Sequence, residues 1–566
     1  MTVLLAPPPE TRDRMALVAA GRAPAELLIQ GGQIVDVHAG QIRRADIAIV
    51  DGRVAAVAPD LSTCVGPSTS TIDADGMTIT PGLVEPHTHL VRLGVAETAR
   101  LQVAAGVTTT ILEVGDLAYV CGPSAVRAIV DALPSLPGRL FVSVPPAIGI
   151  DELHEAKMAA DDEWCELLDS PGVVGVGEIY WANLLRGHRR AGHLIARALD
   201  LGLAVEGHGA GAHGQALAAM AASGVGSDHE PISVGQVEAR IRLGLYVYLR
   251  EGVTRQDFDR LAPAFHLSEP SLNRLALCTD GVEPAQLLAG NALNSLVARA
   301  IRSGLSVPTA VRLACLVPAQ RFGLTPWIGA IVPGALADIV LLNSVETFQP
   351  AMVLCSGAAP ALPRAQNTDA WMNDTVRVRS FRPQVLAHPG VGSWRAMEIS
   401  PEAPLVTREV RTDGSDAIVV VAIDRLGEAR TFTGLLTGFG LHKASVASTV
   451  GADSRALLAV GDDVADLASA VERVEEMRGG VCVVSEGREL ACWQARLGGL
   501  LSEERADVVA AEVGGVNRAL REHGCPMSDP LLSLDFLTSP AVPHLRISPS
   551  GYVRFEDGAP VGLAWG

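Results

Sequence analysis

Two imidazoles separated by one residue, in His87-Thr88-His89, close the apolar run Thr80-Pro81-Gly82-Leu83-Val84-Glu85-Pro86. In a strand, residues i and i+2 point to the same side, so both rings can face a single metal ion. Taken alone, the pair reads more readily as two unrelated polar residues at a strand end. Four later apolar runs, however, end in ligand-type residues too: Val176-Gly177-Glu178, Glu206-Gly207-His208, Ser227-Asp228-His229-Glu230 and Cys278-Thr279-Asp280. Coincidence is acceptable for any one of them and improbable for all. His87, His89, Glu178, His208, His229 and Asp280 are therefore the candidate ligands of a binuclear centre. Two divalent ions sharing a hydroxide keep a nucleophile available at neutral pH. Glu178 as a bridging carboxylate would offset the repulsion between the ions. Imidazoles suit Zn, Fe or Mn, and carboxylates favour the harder ions. Asp280 can bind one ion and accept the proton as hydroxide attacks. Asp280, Glu178 and His229 form the candidate catalytic set, and the chemistry is hydrolysis at an electrophilic carbon.

Such residues converge only if a closed architecture brings the strand ends together. Eight candidate strands, at 80–90, 108–114, 139–147, 173–179, 204–209, 225–230, 246–252 and 274–280, alternate with helix-compatible stretches such as Gly214–Ala222 and Ala285–Ile301. This rhythm predicts an α/β fold, a (β/α)8 TIM barrel with its site at the C-terminal strand ends. No Gly-x-Gly-x-x-Gly turn follows the first strand, which disfavours a doubly wound dinucleotide-binding sheet. Before the barrel, Gly31-Gly32 and Asp51-Gly52 separate β-rich runs as hairpin signals do. After it, Gly329–Leu342 reads as strands that return to complete the same sheet. The expected organisation is residues 1–79 as the first part of a composite β-sandwich, 80–325 as the metal-dependent barrel, 326–395 as the rest of the sandwich with a linker, and 396–566 as a C-terminal α/β domain. In that last domain 417–422 and 480–484 read as strands, and 463–477 and 503–523 as helices.

Composition narrows the partners. Of 566 residues, 48% are hydrophobic and 19% charged, which excludes a disordered or coiled-coil chain. A net charge of −18 without clustered cations argues against nucleic acid or an anionic membrane as partner. No apolar run reaches membrane-spanning length, and the first residues lack the basic start of a signal peptide. Nine cysteines without a Cys-x-x-Cys pair suggest reduced thiols and a cytoplasmic setting.

The motif Pro81–His89, the strand-end set and Gly329–Leu342 together resemble the amidohydrolase superfamily, and within it the adenine deaminase family. Gly207-His208-Gly209-Ala210-Gly211 resembles that family's Gly-His-Ala-Pro-Gly, and Ala222–Glu230 its Ala-Ala-Gly-Ile-x-Ser-Asp-His-Glu. Leu249-Arg250-Glu251-Gly252, Cys278-Thr279-Asp280, Asp453-Ser454, Gly479-Gly480 and Arg518–Pro530 also fit, in order along nearly the whole chain. The resemblance implies the barrel, the composite β-sandwich and the C-terminal domain. It further implies two divalent ions (Mn or Fe, with Zn as the alternative), deamination of adenine to hypoxanthine, and a homo-oligomer, dimer or larger. Several substrate-side positions depart from the pattern. The family's His-Val-His-Ile-Glu-Ser is here His87-Thr88-His89-Leu90-Val91-Arg92, and its Asp-Pro-His-Glu is Glu113-Val114-Gly115-Asp116. Ile179-Tyr180-Trp181 stands for Met-Met-Asn, and Gly451–Arg455 for Ala-His-Asp-Ser-His.

Six residues are candidate substrate contacts, each with a plainer reading. Arg92 meets an acidic substrate group or pairs with Asp116. Arg250 and Glu251 contact substrate or form an internal ion pair. Glu230 orients a ligand or caps a helix. Trp181, with Tyr180, stacks on a planar heterocycle or belongs to the core. His188, His193 and His213 read as solvated or structural. Three functions follow: an aminohydrolase whose metal-bound hydroxide attacks a C–N bond of a small nitrogen heterocycle such as a purine, releasing ammonia; a cyclic-amide or N-acyl amide hydrolase; or an inactive ligand-sensing paralogue, against which the retained ligand set argues.

Overall fold

The computed structural model describes residues 5–146, 159–360, 370–378, 387–542, 544–555 and 558–565. Five strands precede the barrel: β1 (Leu27–Asp36), β2 (Gln41–Val50), β3 (Arg53–Ala58), β4 (Ser70–Asp73) and β5 (Thr78–Pro81). Asp51 and Gly52 both take positive φ, the geometry of a tight turn between antiparallel strands, and they join β2 to β3. The Gly31-Gly32 pair does not. It lies inside β1 as a bulge, where the register to β2 shifts between Ile29 and Gly32. A Cβ on Gly32 would run into the Ile79 side chain, so close packing requires glycine there. Strands β14 (Ile339–Leu342) and β15 (Pro350–Leu354) return beside β5, giving one seven-stranded sheet built from both flanks of the barrel. Of the expected strand region 329–342, only its last four residues are β14. Residues 361–369 and 379–386 of the expected sandwich-and-linker segment 326–395, and residue 147 of the third expected barrel strand, lie outside the described residues.

The barrel strands are β6 (Leu83–His89), β7 (Val107–Glu113), β8 (Arg139–Val144), β9 (Val173–Tyr180), β10 (Ala204–His208), β11 (Ser227–Asp228), β12 (Tyr246–Arg250) and β13 (Leu275–Cys278). All pairings among them are parallel, in one group of five and one of three. Backbone bonds from Gly226 N to Val205 O (2.9 Å) and from Asp280 N to His87 O (3.2 Å) close the two groups into a ring. This is the (β/α)8 barrel. Val84, Ile111, Phe141, Val174 and Ala204 fill its floor against Phe322, Leu324 and Ile328, so the interior is packed rather than open. The expected helix 285–301 is broken: Pro284–Leu288 and Leu293–Arg302 flank a bend at Gly290, which has positive φ.

The C-terminal region holds an eight-stranded sheet in the order β17-β16-β19-β18-β21-β20-β22-β23, from β16 (Trp394–Ser400), β17 (Ala403–Thr412), β18 (Ile418–Asp424), β19 (Thr431–Thr437), β20 (Ser445–Ser448), β21 (Ala456–Gly461), β22 (Gly480–Ser485) and β23 (Arg488–Gln494). Strand alternation sends Val419, Val421, Ala447 and Cys482 to the helix Val464–Glu476. Their neighbours Val420, Val446, Val481 and Val483 share a core with Val509, Val513 and Val516 of the helix Ala506–Glu522. That sheet region meets the barrel mouth through Arg92–Asp535 (2.9 Å), the Gly94–Ser502 backbone bond (2.8 Å) and the bond from Asp453 N to Asp116 Oδ1 (2.7 Å).

Candidate metal centre

Parallel register lines up the strand ends. His89 pairs with Glu113 across β6 and β7, and His208 with Tyr180 across β10 and β9. Glu178 enters at the centre and divides its two oxygens. Oε1 lies 2.6 Å from His89 Nε2 and 3.6 Å from His87 Nε2. Oε2 lies 2.6 Å from His208 Nδ1 and 3.7 Å from His229 Nε2. Asp280 Oδ1 sits 3.1 Å from His87 Nε2 and 3.4 Å from His89 Nε2. The His87 and His229 rings stack at 4.1 Å. Ligand atoms of His87, Glu178, His229 and Asp280 all lie within 4.8 Å of one another, as do those of His208, His229 and Glu230. The six strand-end residues thus converge.

The donors suit divalent cations. His208 Nδ1 and His229 Nε2 are buried without a hydrogen-bond partner; the short approach of His208 Nδ1 to Glu178 lacks hydrogen-bond alignment. His208 Nε2 meets the Ala541 carbonyl at 2.9 Å, which assigns the proton to Nε2 and leaves the Nδ1 lone pair facing the cluster. Burial opposes charge on His89 and His208, but nearby carboxylates outweigh it, raising His89 well above its usual range and His208 to about 9. Burial and the His87 ring instead lower His229. Against burial, His89 and His208 hold Glu178 ionised, and Arg250 holds Asp280 ionised. A divalent cation held by these groups would take the place of the protons that His89 and His208 otherwise carry.

Asp280 takes positive φ at the end of β13, a backbone form uncommon outside glycine. Its Oδ2 is occupied by Arg250 Nη1 (2.8 Å) and Thr254 Oγ1 (2.6 Å), so only Oδ1 faces the histidines. Arg250 also meets Glu230 at 2.5 Å, and Arg255 meets Glu230 at 3.0 Å. Arg250 and Glu230 therefore support the cluster from one side while lining the cavity.

That cavity has a volume of about 370 Å³. His89, Glu178, His208 and Asp280 of the cluster form its floor, and its walls include Leu90, Val91, Val114, Leu117, Ile232 and Val253 from the barrel. Leu405, Val450, Asp453, Asp535, Phe536, Ser539 and Ala541 come from the C-terminal region. Asp116 lines it and accepts from Asp453 N. Tyr180 Oη donates to Asp453 Oδ2 at 2.5 Å, and Ser539 Oγ reaches the same oxygen at 3.2 Å. Burial, reinforced by Asp116, lifts the Asp453 carboxyl to about 7.

Two expected substrate contacts, Glu251 and Trp181, lie away from the cavity, and a third, Arg92, is already paired within the protein. Arg92 lines the cavity, but its guanidinium is held by Glu283 (3.2 Å) and Asp535 (2.9 Å) over the Trp493 ring, not by Asp116. Glu251 lies outside the cavity, bonded to Phe258 N and Arg299. Trp181 also lies outside: its Nε1 donates to the Ala210 carbonyl, and its ring packs against Phe555. Tyr180, its neighbour, faces in instead. Two residues escaped the sequence reading as site groups. Glu113, beside Glu178, is kept neutral by burial and by the Glu178 charge. Its place at the end of the second strand was the available signal. Asp453 carried no strand-end signal, since it arrives from the C-terminal region.

A parallel barrel bearing buried histidines and carboxylates at its C-terminal rim defines a metal-dependent hydrolase. Family models agree: "Amidohydrolase family" matches residues 251–359, and "Adenine deaminase C-terminal domain" matches 396–559. An adenine deaminase of Nitratidesulfovibrio vulgaris is 32% identical over 94% of this chain and 96% of its own. That of Moorella thermoacetica is 31% identical over 96% of each. The solved D-hydantoinase (dihydropyrimidinase) of Thermus sp. is 17% identical with a TM-score of 0.43, covering 59% of this chain and 94% of its own. The chain belongs to the adenine deaminase family and is a hydrolase acting on C–N bonds. No helix among the described residues is long and apolar enough to cross a membrane.

Proposed function

We propose that this chain replaces an exocyclic amino group of a purine-like heterocycle by water, releasing ammonia, with adenine as substrate and hypoxanthine as product. The observation that carries this reading is the Glu178 carboxylate, one oxygen directed to His87 and His89 and the other to His208 and His229. His87, His89, Glu178 and Asp280 would hold one divalent ion, and His208, His229 and Glu178 a second. Mn or Fe is the first choice and Zn the alternative. Such ions supply a deprotonated water as nucleophile at neutral pH. Asp280 Oδ1 takes the proton while Arg250 and Thr254 fix Oδ2. Glu178 keeps the two histidine sets in register, and Ala541 fixes the His208 tautomer. Asp116, Tyr180 and Asp453 offer donors and acceptors to the ring edge of the substrate, and the apolar walls exclude water from its faces. A cytoplasmic, self-associating enzyme completes the reading, supported by the unpatterned cysteines and the family resemblance.

The test is a panel of adenine, other aminopurines, hydantoins and N-acyl amines with Mn-loaded protein, following ammonia and product mass together. One ammonia per hypoxanthine supports the proposal. Turnover of a cyclic amide without ammonia overturns the substrate assignment, and no turnover of any member by fully loaded protein overturns the enzymatic one.

A further inference from the structure

Away from the cavity, two thiols face each other across the edge of the C-terminal sheet. Strands β22 and β23 are antiparallel, and Cys482 is the direct Cα partner of Cys492. Ala495 N donates to Gly479 O, so the 479/495 pair is a hydrogen-bonded one. Alternation along the ladder then makes Cys482/Cys492 a non-hydrogen-bonded pair, whose Cα atoms approach to about 4.5 Å, within the span a disulfide bridges. The Sγ atoms lie 2.6 Å apart, closer than nonbonded sulfurs rest. Two thiolates around one tetrahedral zinc ion would sit about 3.8 Å apart, given Zn–S bonds of about 2.3 Å. Glu489, the third metal-type group nearby, is paired with Arg473 at 2.8 Å. These observations favour a bond between the sulfurs over a shared ion.

We propose that Cys482 and Cys492 are a reversible dithiol–disulfide pair, oxidised by small-molecule disulfides. Cys482 is fully buried and Cys492 half-buried, so Cys492 is the sulfur a reagent reaches. Its thiolate attacks the small disulfide, forming a mixed disulfide and expelling one thiolate. Cys482 then attacks the Cys492 sulfur and expels the second. One small disulfide is thereby reduced to two thiols, while the protein dithiol loses two electrons and two protons. The adjacent Cys482 thiol, together with burial, pushes the Cys492 thiol up, so exchange accelerates as pH rises. The new bond ties β23, the last strand of the sheet, to β22. The residue after Cys492 is Trp493, over whose ring Arg92 lies.

The experiment treats full-length native protein with oxidised glutathione at mildly alkaline pH, removes the reagent, unfolds the protein in denaturant to alkylate the remaining thiols, and maps peptides by mass spectrometry. The expected result is a Cys482–Cys492 crosslink, loss of two of the nine alkylatable thiols, and full reversal by dithiothreitol. In Cys482→Ala, Cys492 should instead retain a glutathione adduct, which shows that it is the sulfur that attacks the small disulfide first. The proposal is overturned if both cysteines stay alkylatable after prolonged oxidation of folded wild-type protein. A stoichiometric zinc ion that protects both thiols from oxidation overturns it equally.

Discussion

The guanidinium of Arg92 gives the clearest separation between architecture and substrate binding. It is almost fully buried, bonded to Glu283 and Asp535, and stacked over Trp493, so it links the barrel mouth to the C-terminal region. Arg92→Met keeps the bulk and removes the charge, stranding two buried carboxylates. Breaking a buried pair in this way costs about 3–5 kcal/mol. For a cooperative unit the size of the C-terminal region that is a fall in Tm of about 6–20 °C, at about 2–4 °C per kcal/mol. The penalty should depend on pH. Burial raises Asp535 to about 7 although Arg92 pulls the other way, and burial raises Glu283 as well. A raised carboxyl is neutral below its folded pKa, so the variant loses less at pH 6 than at pH 8. Thermal unfolding of wild type and variant at both pH values, with KM measured alongside, is the assay. A variant that melts with wild type at pH 8 but has a raised KM would refute the architectural role and restore a substrate contact.

Other consequences follow from the same geometry. Gly177→Ala should lower turnover and cost about 1–3 kcal/mol, because a methyl there meets the Glu113 carboxylate beside Glu178; unchanged kcat and Tm would contradict that packing. Trp181→Phe removes the bond to Ala210 and should cost about 0.5–1.5 kcal/mol in chemical denaturation while leaving KM unchanged. A changed KM would place the indole in the substrate's path. Glu409, held by Arg554 and Arg395, has its pKa lowered from 4.5 to about 2. Its contribution is present above pH 4.5 and lost as pH falls towards 2, so Glu409→Gln should flatten acid unfolding in that window. Because the group is partly exposed, the effect should stay below about 1 kcal/mol.

Much of the centre was legible because strands repeat every two residues and a closed barrel gathers its strand ends at one rim. His87, His89, Glu178, His208, His229 and Asp280 each close an apolar run, and that is enough to place them together. Glu113 obeys the same rule. Partners supplied by distant chain segments follow no such periodicity. Asp535 beside Arg92, Ala541 behind His208 and Asp453 against Tyr180 lie hundreds of residues away from the groups they touch. A charge in the sequence says that a partner exists, not which one. Gly31-Gly32 shows the limit of local signals: positive φ at Gly31 serves a bulge as well as a turn, and only the packing of Ile79 distinguishes them.

The shared carboxylate is tested most directly by counting metal ions in Mn-reconstituted protein after exhaustive dialysis, using plasma mass spectrometry against quantified chain. The account predicts two ions per chain. One ion, or none, would contradict a Glu178 carboxylate that serves two histidine sets at once.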